Sequence, residues 1–179
     1  MLFRSTNIVE QEGHPTQFNK SSLVRVPIRL GQDAFTVGEI TEENIERMID
    51  AMKAFKLLMK VHKVEKYQAC ATSAMREAYN GKEVVEIIKK KADIKIDIID
   101  GKKEAYYGAV AARNMLKIED CITVDIGGGS TELALIKHGK IEELISLNIG
   151  TVRLKELIFD RHMPLTDACA FISRELSAI

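Results

Sequence analysis

The segment Asp125-Ile126-Gly127-Gly128-Gly129-Ser130-Thr131-Glu132 constrains the fold more than any other. Ile122-Thr123-Val124 before it and Leu133-Ala134-Leu135-Ile136 after it are β-branched and apolar, so both flanks read as strands and the glycines occupy a hairpin between them. That placement excludes the common helix-linked phosphate loops. A Walker A loop needs Gly-Lys-Ser/Thr entering a helix, and a dinucleotide fingerprint needs Gly-x-Gly-x-x-Gly between strand and helix. Neither pattern is present here.

Three successive glycines let the backbone adopt positive φ and bring several N–H groups to an anion, which suits phosphate oxygens. Ser130 and Thr131 add hydroxyl donors. Phosphate would repel Asp125 and Glu132, so these carboxylates are expected to act on hydrated Mg²⁺ or on water. The alternative is a purely structural hairpin, but an ordinary tight turn needs two residues and has no use for flanking carboxylates.

Composition narrows the partners. Lys plus Arg and Asp plus Glu number 26 each in 179 residues, so no global field draws nucleic acid or an anionic membrane. The apolar residues, 46% of the chain, fall in short runs, and the N-terminus lacks a signal-peptide core. A cytoplasmic protein is the expectation. Cys70, Cys121 and Cys169 lie among apolar neighbours without Cys-x-x-Cys spacing and are expected to be buried thiols. The histidines, His14, His62, His138 and His162, are scattered singly, which argues against a zinc site or a Ser-His-Asp triad.

The element order reads as α/β. Val9 to Pro15 looks like a strand end and turn, and Val24, Val26, Ile28 and Leu30 alternate as an edge strand containing Pro27. Thr41 caps a helix with Glu42 and Glu43 in its first turn. Its apolar face is Ile45, Met48, Ile49, Met52, Phe55, Leu58 and Met59. A strand over 66–71 leads into a small-residue turn and short helix. Helices over 82–92 and 102–117, a strand over 94–99 and a strand over 141–149 follow. Lys89-Lys90-Lys91 is a solvated helix end. Pro164 starts a last helix whose apolar face, Leu165, Ala168, Ile172, Leu176 and Ile179, suggests a homodimer or a further partner.

Four segments, 71–80, 99–105, 125–132 and 146–154, resemble in order and spacing the exopolyphosphatase and guanosine pentaphosphate phosphohydrolase (Ppx/GppA) family. That family lies within the superfamily of actin, sugar kinases and heat-shock chaperones. The resemblance covers about residues 5–165 and implies a ribonuclease H-like mixed sheet flanked by helices. Residues 1–163 would form the family's first domain, and 164–179 would begin a helix leading to an absent second domain. Family members open with a strand and a loop of the form Asp-x-Gly-Ser-Asn. Met1-Leu2-Phe3-Arg4-Ser5-Thr6-Asn7 resembles the sequence just after that loop, so the first strand is expected to be missing.

The resemblance also implies roles. Glu104 matches the catalytic glutamate, the general base that deprotonates the attacking water. Asp125 and Glu132 match acidic residues holding Mg²⁺ and water, and residues 127–131 match the second phosphate loop. Arg76 matches an arginine that either contacts phosphate or forms a structural ion pair, and Gly150 and Arg153 match a turn with the same ambiguity. Without the resemblance, Glu104 would read as a first-turn helix carboxylate favoured by the macrodipole. The implied activity is Mg²⁺-dependent release of terminal phosphate from polyphosphate or guanosine pentaphosphate. The alternatives are a non-catalytic phosphate-binding domain and a sugar-kinase-like phosphotransferase.

Overall fold

In the computed structural model, residues 1–10, 12, 16–116, 118–160 and 162–177 are described. Of the strand end and turn expected over 9–15, residues 11 and 13–15 lie outside them, as does the last apolar helix position, Ile179. The chain forms two compact units. One comprises Met1–Arg29, Thr41–Ala69 and Glu83–Ile96; the other comprises Leu30–Ile40, Cys70–Lys82 and Asp97–Ile179.

The first unit is built on an antiparallel hairpin of β1 (Leu2–Val9) and β2 (Gln17–Arg25) with a register shift between Ser5 and Thr6. Beside it runs α2 (Glu42–Val61), capped as expected by Thr41, whose side chain accepts from Asn44 N–H at 3.4 Å. All seven positions of its predicted apolar face are buried or half-buried. The Phe3 and Phe55 rings lie 5.4 Å apart, which ties hairpin to helix. The strand expected over 24–30 is corrected here. Ladder pairing stops at Arg25, and Leu30–Thr36 is a helix, α1, belonging to the second unit.

The second unit centres on a three-stranded antiparallel sheet: β5 (Cys121–Ile126), β6 (Thr131–Lys137) and β7 (Lys140–Leu147) in the order β5-β6-β7. The β6–β7 turn is His138-Gly139, both with positive φ (49° and 69°), as a two-residue hairpin matched to right-handed strand twist requires. One sheet face packs against α5 (Gly101–Leu116) around Ala109, Ala134 and Ile136, with Cys121, Ile141 and Leu144 at the margin. The other face of β5 carries Ile122, Val124 and Ile126, which are 68%, 57% and 63% exposed.

The expected strands over 66–71 and 94–99 shrink to β3 (Cys70–Ala71) and β4 (Asp97–Ile98), paired in parallel. Extended, alternately buried sequence becomes strand only where a neighbour supplies a ladder, and here two residues on each side find one. Among the described residues the strands thus form three separate sheets instead of one mixed sheet, while the α/β class stands. Two short helices, α3 (Ser73–Glu77) and α4 (Gly81–Ala92), follow β3. After β7 come α6 (Thr151–Lys155), a π-helical turn over Glu156–Asp160, and α7 (Leu165–Leu176), which begins at Pro164 as predicted. Cys70 and Cys169 are exposed and Cys121 is half-buried, so the expectation of buried thiols is corrected. No helix among the described residues is long and apolar enough to cross a membrane.

The two faces of the β5–β6 sheet should differ sharply on truncation. Ile136→Ala, at a fully buried position, should cost about 2–5 kcal/mol. Ile122→Ala on the bare face should stay within about 0.5 kcal/mol of the parent. Denaturant midpoints of the two variants check this.

Candidate active site

The β5–β6 register decides the site. Asp125 pairs directly opposite Glu132, and Ile126 opposite Thr131, which leaves Gly127 to Ser130 as the connecting loop. Directly opposed residues share a face with Cβ atoms about 5 Å apart, and like charges so placed repel. The fold therefore concentrates negative charge that a cation would offset. The two carboxylates line a cleft of about 210 Å³ with Thr123, Val124 and the α5 residues Ala105, Gly108 and Ala112.

Glu132 is only 4% exposed, and its Oε1 accepts a hydrogen bond from Ser146 Oγ at 2.9 Å. Glu104, in the first turn of α5, faces Arg76 of α3, with Nη1 3.5 Å from Oε2. The same Nη1 donates to Ile99 O at 2.7 Å, so Arg76 is fixed by the backbone while it pairs with the carboxylate. Thr72 also hydrogen-bonds Glu104. Burial and the neighbouring Glu132 charge push the Glu104 carboxyl above its ordinary value, against the opposing pull of Arg76 and Thr72. A carboxylate made more basic in this way is suited to accepting a proton.

The glycine loop works differently from expectation. None of Gly127, Gly128 and Gly129 has positive φ; among the described glycines only Gly38 and Gly139 do. The loop glycines are required by close approach. A Cβ on Gly129 would lie 2.2 Å from Phe35 Cζ and 2.7 Å from Ser73 Oγ, and one on Gly150 would lie 2.3–2.5 Å from the Gly128–Gly129 backbone. Neither α1, which carries Phe35, nor the packing of Gly150 against the loop was visible in local sequence pattern.

That packing turns the loop carbonyls to one side. Gly127 O accepts from Thr151 N at 3.0 Å, Gly128 O from Val152 N at 2.9 Å and Arg153 N at 3.1 Å, and Gly129 O from Arg153 Nε at 2.9 Å. In a trans peptide the C=O and the following N–H point in opposite directions. The amides of Gly128, Gly129 and Ser130 therefore point away from α6. They make no hydrogen bond among the described residues, and Gly129 and Ser130 are buried. Gly127 N–H is spent on Ser130 O at 2.9 Å. Successive amides left without a protein partner are the kind of donor set that suits an anion. The Thr131 hydroxyl donates to Ile149 O at 2.6 Å, so its proton is committed to the backbone. Ser130 is 1% exposed.

Asp125 and Glu132 fit Mg²⁺. It takes hard oxygen ligands and is held by one or two carboxylates plus waters and phosphate oxygens, with no need of an all-protein cage. No group of three or more His, Cys, Asp or Glu placed to hold a metal occurs among the described residues.

A sequence model described as the Ppx/GppA phosphatase family matches residues 10–179. The chain belongs to this family. It is 34% identical over 157 residues to a bifunctional 3-dehydroquinate synthase/phosphatase of Fusobacterium nucleatum, covering 84% of this chain and 24% of that protein. It is 27% identical to exopolyphosphatase 1 of Mycobacterium leprae, covering 79% and 42%. Among solved structures, the Aquifex aeolicus Ppx/GppA family member superposes with a TM-score of 0.76 at 32% identity, covering 99% of this chain and 58% of that one. An exopolyphosphatase from Cytophaga hutchinsonii gives 0.77 at 28% identity, covering 93% and 53%. The chain thus spans between a quarter and three fifths of the length of these Ppx/GppA relatives.

The raised Glu104 carboxyl has a stability consequence with a definite sign. The folded state holds this proton more tightly than the unfolded chain, so stability falls as pH rises from the ordinary glutamate value of 4.5 through the higher folded one. Glu104→Gln should therefore exceed the parent in stability above that window and lose the advantage below it. Urea midpoints on both sides of the window check this.

Proposed function

We propose that this Ppx/GppA chain contributes to a phosphoanhydride hydrolase that releases terminal phosphate from polyphosphate or guanosine pentaphosphate. The observation that carries the reading is the single hairpin that offers three unpartnered amides at its tip and two opposed carboxylates at its base. Amides suit the phosphate oxygens; carboxylates suit a metal bound beside them.

In this reading, Gly128, Gly129 and Ser130 donate to the non-bridging oxygens of the terminal phosphoryl group and hold it still. Asp125 and Glu132 would hold Mg²⁺, which would supply charge neutralisation to the transferring group. Glu104 takes a proton from water as the water oxygen forms its bond to phosphorus. The bridging P–O bond then breaks, leaving orthophosphate and a chain one phosphate shorter. Arg76 holds Glu104 in place, and its charge tempers the basicity that burial creates. Hydrolysis of this kind requires orientation and charge neutralisation more than covalent chemistry, so no cysteine or histidine nucleophile is needed.

Phosphate release from polyphosphate and guanosine pentaphosphate, with and without Mg²⁺, tests the proposal. Release should require the metal, and Glu104→Gln should lower it by about 10²–10⁴-fold. Its acid limb should lie above the ordinary carboxylate range, because the base must be ionised to act. Binding of tripolyphosphate without release from any substrate would instead make the chain a phosphate-binding domain.

A further inference from the structure

Of the loop's three glycine carbonyls, two are held by backbone N–H groups and the third is not. Thr151 N binds Gly127 O, and Val152 N and Arg153 N bind Gly128 O. Gly129 O is bound by a side chain, Arg153 Nε, at 2.9 Å. Gly129 C=O and Ser130 N–H belong to one peptide plane, so whatever fixes the carbonyl also fixes the amide. The guanidinium is itself held on two further sides. Its Nη2 donates to both carboxylate oxygens of Glu77 at the end of α3, and its Cζ lies 4.7 Å from the centre of the Phe35 ring. Phe35 also packs where a Gly129 side chain would stand.

We propose that Arg153 is a positioning residue. It does not bind the anion; it orients the Gly129–Ser130 peptide so that Ser130 N–H faces the site, and Glu77 and Phe35 keep it there. This resolves the two roles that the sequence left open for Arg153 in favour of structure. Its Nε is spent on Gly129 O and its Nη2 on Glu77, whose carboxylate compensates the charge, which leaves Arg153 a poor phosphate ligand. The arrangement also links α3, which carries Arg76, to the phosphate loop. The inference rests on reading that loop as a phosphate site.

The test compares Arg153→Met, Glu77→Gln and the double variant by two readouts. The first is hydrogen exchange and chemical shift of the loop amides in ligand-free protein, and the second is tripolyphosphate affinity by calorimetry. A positioning role predicts that both single variants perturb the Ser130 amide far more than the Gly128 and Gly129 amides. Each should also weaken tripolyphosphate binding by about tenfold, with little further loss in the double variant. If Arg153 were a phosphate ligand, Glu77→Gln would free its charge and preserve or tighten binding, and that result overturns the proposal. An unchanged Ser130 amide in both single variants overturns it as well. If the parent protein does not bind tripolyphosphate, the phosphate reading fails, while the Ser130 amide still decides whether Arg153 orients the peptide. Should Arg153→Met not fold, Arg153→Lys, which keeps the charge but loses the Nε donor to Gly129 O, gives the same comparison.

Discussion

The antiparallel register of β5 on β6 is the constraint on which the site depends. A strand's side chains alternate between faces, so a slip of one residue would send one of Asp125 and Glu132 to the opposite side of the sheet. The buried row Glu132, Ala134 and Ile136 pins that register, because the two apolar members can pack against α5 only on this face. A hydrophobic choice made several residues from the loop thus sets the chemistry at its base. Repulsion between the opposed carboxylates is the cost, and the Ser146 hydrogen bond on Glu132 offsets part of it.

A second layer of support surrounds this hairpin. Residues 151–153 capture the glycine carbonyls of the loop, α3 presents Arg76 and Glu77 in consecutive positions, and α5 presents Glu104. Arg76 and Glu77 each form an ion pair with a group of opposite charge, one at the carboxylate proposed as base and one at the arginine behind the loop. Two consecutive residues of the five-residue α3 therefore serve both ends of the proposed chemistry, on a helix too short to be stable without its tertiary contacts.

The sequence made much of this legible, and its failures have physical causes. The α2 cap and apolar stripe, the β5–β6 hairpin and the start of α7 were readable because their signals are local: a side chain at a helix end, a period, a turn between apolar runs. The glycine run was correctly located but misread in mechanism. Positive φ is a property of single residues, whereas the packing of Phe35 and Gly150 on the loop is tertiary and leaves no periodic trace. Helix α1 was hidden because Pro27 and alternating apolar residues imitate an edge strand, and a seven-residue helix has little room to show a period. Exposure of Cys70 and Cys169 was likewise invisible, since apolar neighbours in sequence need not be neighbours in space.

Strand β5 lies at the end of its sheet among the described residues, with a free backbone edge and the bare row Ile122, Val124 and Ile126. Such a strand is a template for unwanted pairing between molecules, and proteins commonly guard it with charges at its flanks. Asp120 stands just before β5, where its Oδ1 accepts from His138 N at 2.8 Å, and Asp125 stands near the far end, so the strand itself carries one charge. A metal-binding role for Asp125, as proposed above, would thus fall on the one carboxylate that this edge strand carries. Neutralising it to probe metal binding would also leave the edge strand without charge, so solubility and activity need to be followed side by side.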